Sequence, residues 1–209
     1  MTDSPENMQK GLLIVFEGID GTGKSTQLDL LARDLRQKNY PVITTREPTD
    51  GVHGQAIRRL YVNRDQFSKE EELQLFLDDR REHVEQLIQP ALDRHQIILC
   101  DRYFLSTAAY QGAVGFDPQD ILELNRFAPD PDLALLFLSS TEQSIQRISN
   151  RGDTLNNFEQ KEQLHRVAKL FLSLQLPYIQ QIDGSGTIQA VHQQVVRKIH
   201  TLLDKHHII

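Results

Sequence analysis

The chain has 209 residues, of which 39% are apolar and 25% charged, with a formal net charge of −6 and a pI near 5.7. That length suffices for one sizeable core, and the acidic balance argues against the basic face on which nucleic-acid binding normally depends, while leaving room for a local basic pocket that takes a small anion. The single cysteine, Cys100, rules out an internal disulfide and suits a reducing compartment. Apolar runs of five or six residues are far too short to span a membrane.

Residues 1–10, "MTDSPENMQK", lack the basic start and apolar stretch of a signal peptide. They are read as a flexible tail ahead of one domain over 11–209, in a cytoplasmic protein without membrane or nucleic-acid partners. "LLIVFE" (12–17) predicts a fully buried strand, and Leu28, Leu31, Ala32 and Leu35 then mark a helical stripe. "PVITT" (41–45) is a second strand, followed by the loop "REPTDGVHG" (46–54). A long helical pattern covers 69–95. "QIILC" (96–100) and "DLALLFL" (132–138) are the third and fourth strands, separated by the loops "QGAVGFDP" and "APDPD". Helical patterns follow at 141–150 and 159–180. "GTIQAV" (186–191) can open a short fifth strand before the stripe Val191, Val195, Ile199, Leu202. Continuous apolar strands separated by helices predict an α/β fold whose parallel sheet is covered on both faces. There is no repeat, low-complexity tract or domain linker.

The turn after the first strand reads Gly18-Ile19-Asp20-Gly21-Thr22-Gly23-Lys24-Ser25-Thr26. It fits G-x-x-x-x-G-K-[ST] with the required strand before and helix after. Glycines let successive N–H groups curl inward onto phosphate oxygens, and the next helix adds its positive end. In this pattern Lys24 reaches the terminal phosphates and the Ser25 hydroxyl holds Mg²⁺. Such loops serve kinases, switches and motors alike, so the loop alone leaves the acceptor open.

Downstream residues narrow it. Asp101 ends the third strand, where a second Mg²⁺ ligand is placed; the competing role is a cap on the next helix. Arg102 follows at the carboxyl edge of the sheet, where open α/β folds bind ligands. On the long helix, Leu73, Phe76, Leu77, Val84, Leu87, Ile88 and Ala91 share one stripe, and Arg80 falls on it while Arg81 does not. A guanidinium on a buried stripe needs an anion, either a ligand phosphate or a protein acid. Phe76, one turn away, offers a ring to a base. Thr107, Tyr110 and Gln111 share a helix face and offer hydroxyl and amide groups to a base edge or sugar.

Taken together, "FEGIDGTGKST", "TREP" (45–48), "FLDDR" (76–80), "DRYFLSTAAYQG" (101–112), "PDL" (131–133) and "QRISNRGD" (146–153) resemble the thymidylate kinase family, in its order and spacing. The resemblance implies a three-layer P-loop fold with a five-stranded parallel sheet. It implies transfer of the ATP γ-phosphoryl to dTMP, with Mg²⁺, by a homodimer. Gly18 through Thr26 would then hold ATP, and Ser25 and Asp101 the metal. Arg46, Arg80 and Arg102 would surround the acceptor phosphate, with Glu47 and Ser106 in the same motifs. Phe76 would stack on thymine, Thr107 and Gln111 would read it, and Tyr110 would lie beneath the deoxyribose. Asp20 would sit near the acceptor sugar and metal. Lys24, Arg102 and Asp20 would act at the reacting centre, joined by Arg147 and Arg151 from a lid over about 147–160.

The chain departs from the family in places. Gly21 stands where some members carry an arginine, so that charge must come from elsewhere. Asn156 and Asn157 replace a lid acid and a lid arginine, and Phe171 replaces a common tyrosine. Other readings are a kinase for a different nucleoside monophosphate or for a nucleoside, and a nucleotide-binding relative with weakened catalysis. A GTP-driven switch would need a guanine-reading N-K-x-D, which the sequence lacks.

Overall fold

A computed structural model describes residues 10–62, 67–150 and 158–206. Five parallel strands, β1 (Leu12–Glu17), β2 (Val42–Arg46), β3 (Ile97–Asp101), β4 (Leu133–Leu138) and β5 (Ile179–Asp183), lie in the order β2-β3-β1-β4-β5. Helices α1 (Lys24–Gln37), α2 (Val52–Val62), α3 (Lys69–His83), α4 (Gln89–Asp93), α5 (Phe104–Ala113), α6 (Pro118–Leu124), α7 (Thr141–Ser149), α8 (Phe158–Ser173) and α9 (Ile188–Lys205) connect them.

The pleat sorts the core. Along β1, Leu13 and Val15 join Ile98, Cys100, Ala134 and Leu136 on one face, packed by α5, α8 and the end of α3. Leu12, Ile14 and Phe16 join Ile97, Leu99, Leu135 and Phe137 on the other, packed by α1 and α9. With both faces covered, alternation between apolar and polar residues is unnecessary, hence the unbroken "LLIVF". β1 is central, with β3 on one side and β4 on the other, so its carboxyl end lies between the two halves of the sheet. Open parallel sheets bind ligands in that crevice.

The long helical pattern ends at Asp93 and contains a π turn, Val84–Ile88, between α3 and α4. Pro90 explains the turn: it has no N–H for the carbonyl four residues back and its ring crowds that carbonyl. Widening the helix, with the Gln89 N–H on the Val84 carbonyl, absorbs the misfit.

Two sequence expectations need correction. The fifth strand is Ile179–Asp183, not the segment from 186, and α8 stops at Ser173 rather than running to 180. β5 is an edge strand paired only with β4 and half exposed, so "IQQID" carries no apolar run. Thr187 instead caps α9, its hydroxyl accepting from the Ala190 N–H. Helix α2 was hidden by its own glycine. A Cβ on Gly54 would lie 2.0 Å from the Thr49 carbonyl oxygen, so this glycine serves close packing and not a turn. Among the described residues no helix is long and apolar enough to cross a membrane.

Candidate active site

The phosphate loop joins β1 to α1 through glycines with left-handed backbone. Gly21 (φ 82°) and Gly23 (φ 96°) adopt angles that side chains resist. A Cβ on Gly21 would also lie 2.3 Å from the Ser144 carbonyl oxygen, which leaves no room for an arginine there. Arg147 of α7 approaches the loop instead. Arg147 Nη1 donates to the Gly184 carbonyl at 3.0 Å and more distantly to that of Gly21 at 3.4 Å. Helix α1 begins without a side-chain cap and without an acid in its first turn, which suits an anion at its N-terminus.

Lys24 is buried, and its Nζ donates to the Ile19 carbonyl at 2.9 Å. Burial, reinforced by the neighbouring Arg102, brings its pKa down to about 8. The Ser25 hydroxyl donates to Asp101 Oδ2 at 2.5 Å. The other carboxylate oxygen, Asp101 Oδ1, is buried without a hydrogen-bond partner. A hydroxyl, a carboxylate with a spare buried oxygen and an adjacent phosphate cradle form an all-oxygen donor set, which fits Mg²⁺. Asp101 does not cap α5, whose N-cap residue Tyr103 makes no side-chain cap bond. A cavity of about 320 Å³ continues from Thr22, Gly23 and Thr26 past Arg147 to Gly184 and Gly186.

On the other side of the loop lies a cavity of about 410 Å³, walled by Phe76, Arg80, Arg102, Thr107, Tyr110 and Gln111, with Asp20, Glu47 and Ser106 at its polar end. The Arg80 guanidinium is fully buried and held from several sides. Nε donates to Glu47 Oε2 at 2.9 Å, Nη1 to Asn125 Oδ1 at 2.6 Å, and Nη2 to Thr107 Oγ1 at 3.0 Å and to Glu47. Its charge is therefore balanced by a protein acid, while its side chain still walls the cavity. Glu47 also accepts the ring of His83 at 3.0 Å, and that ring meets Thr45 at 2.8 Å. Burial alone would raise the Glu47 pKa, but Arg80 and His83 outweigh it and hold the carboxyl below its usual range.

Arg102 stands in left-handed backbone (φ 70°), a conformation uncommon for a side chain of its size. Its Nη2 donates to Asp20 Oδ1 at 2.5 Å and its Nη1 to Ser106 Oγ at 3.1 Å. The guanidinium lies 5.1 Å from the Tyr110 ring centre. Burial would disfavour its charge, yet Tyr110, Asp20 and Asp101 raise its pKa further. Asp20 responds in kind: partial desolvation pushes its pKa up, and Arg102 and Lys24 pull it below the ordinary value. Phe76 is half-buried, and Gln111 is buried with Nε2 donating to Glu72 at 3.0 Å.

A model of the family described as thymidylate kinase matches residues 16–195. A thymidylate kinase of Desulfotalea psychrophila is 52% identical over 194 residues, covering 92% of this chain and 96% of the relative. One of Xylella fastidiosa is 43% identical over 181 residues, covering 87% and 83%. A probable thymidylate kinase of Pyrococcus horikoshii is 40% identical over 203 residues, covering 93% and 98%. The chain belongs to the thymidylate kinase family.

Against that family's pattern, one described residue expected around the acceptor phosphate stands apart. Arg46 ends β2 beside Asp101, but its side chain is 62% exposed and paired with Asp50 at 2.9 Å. It lines a separate cavity of about 560 Å³ with Ser25, Thr45, His83 and Asp101, not the one that holds Phe76. Arg151 lies outside the described residues, as do Asn156 and Asn157. Phe171 packs edge-on against Tyr110, with ring centres 6.4 Å apart, so it supports the cavity floor without a hydroxyl.

Several residues went unread in the sequence. Glu17 is fully buried at the end of β1 and accepts from the N–H groups of Tyr103 and Ser106. Burial raises its pKa to about 7, against the Ser106 hydrogen bond and the Arg102 charge. An acid closing an otherwise apolar strand is the signal that could have marked it. Glu72 and Asn125 had weaker signals, being polar residues beside apolar helical stripes. Leu164 and Val167 of α8, which close the cavity, look in the sequence like ordinary core.

Proposed function

We propose that this protein transfers the γ-phosphoryl group of ATP to dTMP in the presence of Mg²⁺, giving dTDP. The observation that carries the reading is the placement of the 410 Å³ cavity. It combines an aromatic wall, buried amide and hydroxyl groups and Arg102, and it opens against the phosphate loop at Asp20.

In this reading Gly18 through Thr26 cradle the triphosphate, and the 320 Å³ cavity beside Arg147 takes the adenine. Ser25 and Asp101 hold Mg²⁺, which would neutralise charge on the phosphates. Phe76 stacks on the thymine ring, while Thr107 and Gln111 meet its polar edge. Tyr110 lies under the deoxyribose, where its ring disfavours a 2′-hydroxyl. Arg102 binds the acceptor phosphate, and an oxygen of that phosphate attacks the γ-phosphorus as the bond to ADP breaks. Lys24, Arg147 and Arg102 stabilise the charge spread over the migrating group, the main task in phosphoryl transfer. Arg80 acts as a fixed wall whose charge is already met by Glu47. Arg46 reaches the acceptor only by leaving Asp50, and Arg151 joins from a lid over about 147–160. Family membership supports the further reading of a cytoplasmic homodimer in which each chain contributes one domain.

The test is ADP formation with Mg·ATP across a panel of nucleoside monophosphates. dTMP is expected to be turned over best. A clear preference for dGMP or UMP would move the acceptor elsewhere, and no turnover with any monophosphate would sink the kinase reading.

A further inference from the structure

We propose that Glu17 is a positioning residue that aims the Arg102 guanidinium at the acceptor, acting through the Ser106 hydroxyl. The proposal rests on the kinase reading above and concerns a residue outside its contact set.

The geometry is a relay across three elements. Glu17 closes β1, immediately before the phosphate loop. Its Oε1 accepts from the Tyr103 N–H at 2.9 Å and the Ser106 N–H at 3.3 Å, and its Oε2 accepts from the Ser106 hydroxyl at 2.5 Å. Because α5 has no side-chain cap of its own, the carboxylate caps it from a distant strand. The Ser106 hydroxyl has one hydrogen, and giving it to Glu17 leaves its lone pairs for a donor. Arg102 Nη1 is that donor, at 3.1 Å. The other terminal nitrogen holds Asp20. Arg102 also sits in left-handed backbone, so its local chain does not by itself favour this placement. Above about pH 7, where Glu17 is ionised, its carboxylate can only accept and so fixes the polarity of the relay.

A purely structural role, capping α5, makes a different prediction. In Glu17→Gln the amide oxygen can still accept both backbone N–H groups. Its amide NH2 is a donor, however, so the Ser106 hydroxyl must reverse and point its hydrogen toward Arg102. The cap survives and the relay inverts.

The experiment is a double-mutant cycle of Glu17→Gln and Ser106→Ala, with folding checked by thermal melting. Turnover is measured against dTMP and ATP separately, and dTMP binding by calorimetry. Glu17→Gln is expected to remain folded and to lose roughly 10- to 100-fold in kcat/KM for dTMP, since small misplacements of a reacting group cost that much. The KM for ATP should stay within about two-fold, and the double variant should lose no more than the worse single one. The proposal is overturned if Glu17→Gln keeps dTMP turnover within about two-fold, or if the two losses multiply. Should Glu17→Gln not fold, Ser106→Ala decides: a loss confined to dTMP supports the relay, and unchanged dTMP kinetics overturn it. A wild type that binds dTMP without turning it over fails the kinase reading alone, leaving the cycle to be read in binding; one that does neither overturns both.

Discussion

The two sides of the site handle their positive charges in opposite ways. On the acceptor wall, Arg80 is 1% exposed and gives four hydrogen bonds to Glu47, Asn125 and Thr107. In the phosphate loop, Lys24 is 5% exposed and its ammonium donates to one neutral carbonyl, that of Ile19. A charge balanced within the protein makes a stiff wall, because four of the five guanidinium N–H donors are already engaged. A charge set against a carbonyl is costly to the fold and favours an incoming anion. In the proposed reading the acceptor wall therefore supplies shape and the loop supplies attraction.

The contrast can be broken most severely at Arg80. Arg80→Ala leaves Glu47 buried beside only His83, which should destabilise the protein by about 3–5 kcal/mol in denaturant melts. Adding Glu47→Gln to an Arg80→Met variant should recover much of that loss, since no buried charge remains unpaired. If Arg80→Ala were as stable as wild type, the wall would not depend on this pair.

Lys24→Met tests the other side and should separate activity from stability. Turnover is expected to fall by about 10²–10³-fold, the usual cost of one transition-state donor. Stability should rise by about 1–3 kcal/mol near pH 7, because the charged form is the one that burial penalises. The sign follows from a folded pKa of about 8 against an ordinary 10.5. The penalty is complete below pH 8, fades as pH rises from 8 to 10.5, and is gone above that. Melts of both proteins from pH 7 to 10 check it, and a gain that grows with pH would contradict the assignment.

The smallest effect is expected at Arg46. Its exposed pair with Asp50 makes Arg46→Ala cost about 1 kcal/mol or less in stability. Its turnover should change far less than that of Lys24→Met. A loss in kcat/KM as large as that of Lys24→Met would show that the guanidinium leaves Asp50 during the reaction.

Much of the site could be read along the chain because its residues cluster in short motifs on one sheet edge. The glycine loop, "DRY" and the Thr107–Gln111 face are local patterns, and local patterns survive in one dimension. Arg80 shows the limit. Its place on an apolar stripe demanded a buried anion, but whether Glu47 or a ligand would provide it depended on how β2 packs beside α3. Arg46 failed to join the acceptor cavity for a related reason. The sequence put it at the start of the loop 46–54, whereas it ends β2 and its side chain is turned to Asp50 four residues on. The edge strand β5 escaped because half-exposed pairing needs no apolar run, and α2 because Gly54 answers a contact from Thr49.

The amino-acid sequence by itself determined that β1 is buried on both faces, that a phosphate loop follows it, and that arginines and aromatics gather at the sheet's carboxyl edge. Those features rest on periodicity and on backbone angles that only glycine takes easily. Tertiary structure alone decided which charges are neutralised inside the protein and which are left to meet a ligand. Glu17 holds α5 from 86 residues away, and Arg147 reaches Gly21 from α7 across 126. Pairing over such distances is enforced by the desolvation of buried charge, which acts only once the chain has folded around it.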